Sequence, residues 1–200
     1  MKNTVRVGKI KIQIPKYFVP AGPLPDDPKD SQSFMAQTAH AVCYARVYPV
    51  SGDRLLPRDK ETLLGGIRYY LSDKQGIICV ECGEDYVYSI VKTLQEPSGT
   101  QYTLTYQKFR GNSAAELHAF FEETAASGMR ESAMLEYCRN KGLIGTGSDP
   151  LEGWEKDPYD EDLKKGVLMN MSEDEKYDSM FPDYPLSLCR GFVRTLLREG

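Results

Sequence analysis

An α+β domain, an antiparallel sheet with helices packed on it, is the fold class this sequence predicts, on three observations. Residues 9–14 alternate strictly between polar and apolar. Three strand-like runs between residues 76 and 109 are joined by connections too short for anything but an antiparallel meander. Apolar side chains recur at helical spacing in several further segments, each with its own start or stop signal.

Residues 9–14 place Ile10, Ile12 and Ile14 on one face of a strand and Lys9, Lys11 and Gln13 on the other. Residues 16–32 are rich in proline and aspartate and predict a long surface loop. Between Thr38 and Tyr48 a strand returns, with Ala41, Cys43, Ala45 and Val47 forming a small-residue face for close helix packing; Val42, Tyr44 and Tyr48 line the other, so cover on both sides is expected. Pro57–Ser72 predicts a helix from Leu63, Leu64, Ile67 and Leu71, and its Gly65 and Gly66, costing about 1 kcal/mol each against alanine, imply a close approach of a neighbouring backbone. The meander runs through 76–82, 86–94 and 101–109. Ser113 and Glu116 fit a capping box, and Leu117, Phe120, Phe121 and Thr124 fall on one stripe up to Gly128, which predicts a helix; Arg130–Asn140 predicts another. A glycine-rich hinge at 145–150 divides the chain into an α+β domain, 1–145, and a C-terminal extension, 146–200, of acidic loops and two short helices docked on the domain. In the extension Ser172 and Glu175 fit a capping box, and Pro185–Glu199 turns Leu186, Cys189, Phe192, Val193, Leu196 and Leu197 inward.

The 200 residues suffice to bury a sizeable core, roughly 70% of the unfolded surface, without disulfides. Net charge is −4, and no cluster of Lys and Arg interleaved with aromatics offers a footprint for phosphate backbones, so nucleic acid is not an expected partner. No apolar run reaches signal-peptide or membrane-spanning length, which predicts a cytoplasmic protein with no membrane association and with Cys43, Cys79, Cys82, Cys138 and Cys189 reduced. Residues 149–185 carry 12 acidic and 4 basic side chains, a local net of −8 that draws the segment toward the body of the chain or toward a basic partner.

Candidate chemistry is sparse. Cys79 and Cys82 have the spacing of a zinc or redox pair, but an odd offset in a strand points them to opposite faces. His40, three residues before Cys43, and His118 raise a thiol nucleophile with an imidazole base, though no third group orients the ring. Gly145–Ser148 lacks the lysine of a phosphate loop, and the carboxylates of 157–162 lack the ligand alternation of a calcium loop. No catalytic residue, metal ligand or cofactor is therefore assigned. Trp154, Tyr159, Tyr177, Phe181 and Tyr184 are the candidate binding residues, because large aromatics in an acidic, loop-rich segment must either cover the core or meet a partner.

Over about residues 5–127, the opening strand with its Ile14-Pro15-Lys16-Tyr17-Phe18 turn, followed by strand, helix, meander and helix, resembles the layout of the Mog1/PsbP-like fold. That resemblance implies a binding or assembly factor rather than an enzyme. Residues 171–190 separately resemble the closing segment of a group of uncharacterised bacterial proteins, which implies a bacterial origin and attaches no activity. The expected function is a non-enzymatic protein-binding or assembly module whose partner is another protein, a basic one if the acidic segment makes the contact. A small thiol-dependent hydrolase or transferase, and a small-molecule-binding domain, are the alternatives.

Overall fold

A computed structural model describes residues 3–124, 128–145, 147–163 and 166–198. The chain opens with an antiparallel hairpin of β1 (Asn3–Val7) and β2 (Ile10–Ile14), then runs through β3 (Val19–Ala21), β4 (Gln32–Gln37), β5 (Ala41–Ser51), α1 (Lys60–Tyr70), β6 (Gln75–Cys82), β7 (Tyr86–Leu94), β8 (Thr100–Arg110) and β9 (Ser113–Glu123). It closes with α2 (Met129–Asn140), the short pair β10 (Glu155–Lys156) and β11 (Met169–Asn170), two 3-10 turns and α3 (Pro185–Leu197). Seven strands make one antiparallel sheet in the order β3-β4-β5-β9-β8-β7-β6. The fold is α+β, an antiparallel sheet with packed helices.

One face of the sheet is closed. The hairpin brings Ile10, Ile12 and Ile14 onto it, and α3 adds Leu186, Cys189, Phe192 and Leu196, all in a single buried cluster, whereas Leu197, expected inward, lies past that stripe at the helix end and is exposed. Phe18 sits at the junction, 5.0 Å from the Phe192 ring and 6.4 Å, edge-on, from Phe121. The small face of β5, Ala41, Cys43 and Ala45, lies fully buried in the same cluster, and the absence of bulk there lets α3 approach. Each large apolar side chain buried here contributes about 1.5–3 kcal/mol.

The opposite face is covered at one end only. Asp59 caps α1 by accepting the Thr62 N–H at 2.8 Å, and α1 buries Leu63 over Ile77, Val80 and Val87 of β6 and β7. The expected cover on both sides of β5 is thus incomplete, because Tyr44 on this face is only half-buried. Gly65 and Gly66 are not there for close packing either: a Cβ built at either position meets nothing within 4 Å.

Ser113–Glu123 is a strand, not the expected helix. Inserted between β5 and β8, β9 pairs along its length with both, and that long-range pairing overrides the local capping box and the helix-forming composition. The long loop at 16–32 contains β3, which pairs with β4 at the sheet edge. In the C-terminal segment the capping box falls two residues early: Asn170 Oδ1 accepts the Ser172 N–H at 2.9 Å, and Glu173 reaches back to the Asn170 N–H at 2.8 Å. Thr146 within the glycine-rich hinge and Glu199 at the expected end of the last helix lie outside the described residues.

The same Glu173 is fully buried and pairs with Lys92 Nζ and the Tyr102 hydroxyl, each at 2.8 Å. Asp178 lies between Arg130, at 3.2 Å, and Arg190, at 3.0 Å, and these guanidinium groups also donate to the carbonyls of Ser172 and Glu173. Buried charges persist only when paired and hydrogen-bonded to this degree. Acidic side chains of residues 149–185 are therefore answered by bases elsewhere in the chain: Arg68 for Asp157, Lys92 for Glu173, Arg130 for Asp178. Among the described residues no helix is long and apolar enough to cross a membrane.

Candidate binding face

The open face is built by strand register. Antiparallel pairing sets Val19 opposite Met35, Met35 opposite Tyr44, Tyr44 opposite Phe120, Phe120 opposite Thr103 and Thr103 opposite Val91, a row running across the sheet from its β3 edge. Val19 is 56% exposed and Met35 42%, and Leu24 in the adjoining loop is 50% exposed. The neighbouring row runs Ser33, Arg46, His118, Thr105 and Ser89.

Charged groups on this face find their hydrogen-bond partners within the chain. Burial opposes ionisation of Asp27, yet hydrogen bonds from the Tyr44 hydroxyl, from Arg46 at 2.7 Å, from the Leu24 N–H and from Ser33 hold its carboxyl down to about 2. Glu116 accepts from the Tyr48 hydroxyl and from Gln107 at 2.6 Å, while Gln107 ties the loop before α1 by donating to the Arg54 carbonyl and accepting the Leu56 N–H, each at 2.9 Å. His118 lies across from Arg46, with Nδ1 3.4 Å from a guanidinium nitrogen. Burial first, and then the Arg46 charge, hold its imidazole down to about 4.

Between α1 and the sheet this face deepens into a groove of about 810 Å3. Leu56, Leu63, Ile67 and Leu71 form its apolar wall, Ser89, Thr103, Thr105, His118 and Phe120 its floor, and Tyr70, 83% exposed, its rim.

The five aromatics singled out from the sequence lie elsewhere. Trp154 and Tyr177 are buried with Met134, Cys138 and Ile144 in a small core under α2, and Phe181 packs beside them. Tyr184 stacks on His40 at 4.3 Å. Tyr159 lies along β6, its hydroxyl bonded to the Val80 N–H at 2.6 Å and to the Val80 carbonyl at 3.1 Å. In this arrangement they tie the C-terminal segment to the rest of the chain. The residues of the open face carried no motif. Their signal was period two, in Ala115, Leu117, Ala119 and Phe121, which leaves Glu116, His118 and Phe120 on the other side.

The thiols of Cys43, Cys79, Cys82 and Cys189 are held in the protonated form. Burial pushes Cys43 up to about 12, raises Cys79 and Cys82, and takes Cys189 well above the ordinary thiol range. Cys43 faces the closed side, whereas His118 faces the open one. Cys79 and Cys82 pack into different clusters on opposite sides of the sheet.

No family model matches the chain. No curated protein matches it in sequence. Among solved structures the chain is similar to the Saccharomyces cerevisiae Ran-binding protein Mog1p, with a TM-score of 0.47 and 7% identity over 99% of this chain and 93% of that one, and scores alike against a Mog1 mutant. It is also similar to a Pseudomonas aeruginosa protein of unknown function, PA94, a putative regulator by its description, with a TM-score of 0.34 and 11% identity over 74% of this chain and 99% of that one.

Proposed function

We propose that this protein is a binding module that receives an apolar segment of another protein on the open face of its sheet. The observation that carries this reading is the cross-strand row Val19, Met35, Tyr44 and Phe120, contiguous by register and exposed at its β3 end although the fold holds a large core elsewhere. Contiguous apolar surface rimmed by polar groups is costly in water and marks an interaction face. The Asp27–Arg46 ion pair and the hydrogen bonds that Glu116 accepts from Tyr48 and Gln107 support the same reading, since an apolar partner segment would leave these groups with the partners they already have.

The test is a photo-crosslinking amino acid at position 19 or 35, with position 136, exposed on the outer side of α2, as the control. A single discrete adduct from 19 and 35, absent from 136 and abolished by Tyr44→Asp in the same chain, is the expected result. No adduct, or the same products from all three positions, would overturn the proposal.

A further inference from the structure

Period two in β8 sends Tyr106, Lys108 and Arg110 to the closed side of the sheet, where Tyr106 joins the main buried cluster. At this end of the sheet the turn before β7 is tied to β8, with the Phe109 N–H donating to the Asp85 carbonyl at 2.7 Å, and the β1–β2 hairpin leaves a cavity of about 580 Å3 beside them. Ile10, Ile12 and Leu196 give the cavity an apolar wall. Its charged lining is one-sided. Among the described residues that line it, Lys9, Lys11, Lys108 and Arg110 are set against a single carboxylate, Asp85, a net of +3 from four bases and one acid. Lys9 and Arg110 stand 101 positions apart in the chain, so the sequence shows no basic cluster and the fold creates one.

The chain answers these cations only in part. The Lys108 side chain is 18% exposed, and its ion-pair partner among the described residues is Asp85 at 3.8 Å, too far for a hydrogen bond and itself half-exposed. Arg110 donates from one nitrogen to the Lys9 carbonyl at 3.3 Å, and neither Lys9 nor Lys11 has an ion pair among the described residues. Both lysines stand at the rim, on exposed positions of the hairpin, and their flexible four-carbon stems reach over the mouth. Tyr106 lines the cavity as well, its ring 6.0 Å from that of Tyr86, and its hydroxyl makes no hydrogen bond among the described residues. Burial, and then the charge of Asp85, raise the pKa of this phenol, so at neutral pH it is a donor. A ligand with one negative charge would leave most of the +3 uncompensated, whereas one with two or more would not. The volume falls within the range of small-molecule sites, and the bases ring one pit rather than forming the stripe that a nucleic-acid strand follows.

We infer that this cavity binds a small polyanion, a molecule with two or more carboxylate or phosphate charges, held by Lys108 and Arg110 from β8 and by Lys9 and Lys11 from the hairpin, with the Tyr106 hydroxyl donating to it. The site lies at the end of the closed side and does not depend on the function proposed for the open face.

Titration calorimetry of the full chain tests it with pyrophosphate, citrate and acetate. Pyrophosphate or citrate is expected to bind saturably at one site, the tighter of the two naming the acid group that the cavity takes, while acetate, with one charge, does not saturate. Lys108→Gln weakens the tighter probe by about tenfold or more, the worth of a charge-assisted hydrogen bond, and Tyr106→Phe, which keeps the ring, by roughly three- to tenfold. Asp85→Asn tightens it by about two- to fivefold, because the one competing carboxylate is gone; a purely structural Asp85–Lys108 pair would not give that sign. Lys29→Gln, the same change of net charge in the exposed loop between β3 and β4, leaves the affinity unchanged. No saturable binding of either polyanion, equal losses in Lys108→Gln and Lys29→Gln, or an Asp85→Asn chain that binds no more tightly would overturn the site. So would a single-stranded oligonucleotide that binds and is not displaced by the polyanions, since the bases would then belong to a strand-binding surface.

Discussion

The two faces of the sheet are made by the same strands and have opposite fates. On the closed face, small residues in β5 and β9 admit α3 and the β1–β2 hairpin, and the result is a buried cluster in which Phe18, Phe121 and Phe192 meet. The open face carries larger and more polar side chains from alternate positions of the same strands, and one helix covers one end of it. A sheet of seven strands is about 30 Å wide, and a helix with its side chains spans about 10–12 Å, so one helix cannot close it. The larger buried cluster therefore lies on one face, and the other is buried only where α1 covers it.

That division breaks down if substitutions on the two faces cost alike. Phe192→Ala removes a ring packed against two others on the closed face and is expected to destabilise by about 3–5 kcal/mol, read by urea unfolding. Asp178→Ala is next, at about 3 kcal/mol, because it leaves the buried Arg130 and Arg190 without their shared partner; a loss under about 1 kcal/mol would mean that the C-terminal segment adds little to the fold.

A smaller effect depends on pH. Burial, and then the neighbouring Glu131, push the Glu123 carboxyl up to about 7 from its ordinary 4.5. Since the folded-state value lies above the unfolded one, protonation favours the folded chain: this contribution is complete below about 4.5 and is lost as pH rises through about 7. The urea midpoint should fall between pH 5 and pH 8, and Glu123→Gln should flatten that slope; an unchanged slope would remove Glu123 as its source. The smallest effect belongs to the open face, where Met35→Ser should change stability by no more than about 0.5 kcal/mol. A cost several times larger would show Met35 holding the fold together rather than awaiting a partner.

Much of the closed face was legible in the sequence. Ile10, Ile12 and Ile14, the small face of β5, the meander and the inward side of α3 all follow from periodicity, because each element's pattern agrees with its burial. The open face was hidden by one segment. Residues 113–123 contain a capping-box pattern and strong helix formers, so His118 and Phe120 were assigned to a helix, and only pairing with strands about 70 residues upstream and a few residues upstream makes them cross-strand neighbours of Arg46 and Thr103. The tail aromatics were legible as unusual, but a sequence does not distinguish an aromatic that anchors its own chain, as Trp154 does, from one that waits for another.

Tyr159 marks where the sheet ends. β6 is the last strand, and a bare edge is an invitation for the next molecule to add its own backbone. At Val80 that invitation is withdrawn, since one phenol hydroxyl occupies both the N–H and the carbonyl that a new strand would need. Four residues earlier the Val167 carbonyl lies so close to Gly76 that a side chain there would collide with it. Stacking of copy upon copy, the route by which sheets grow into fibres, is blocked at this edge by the chain itself.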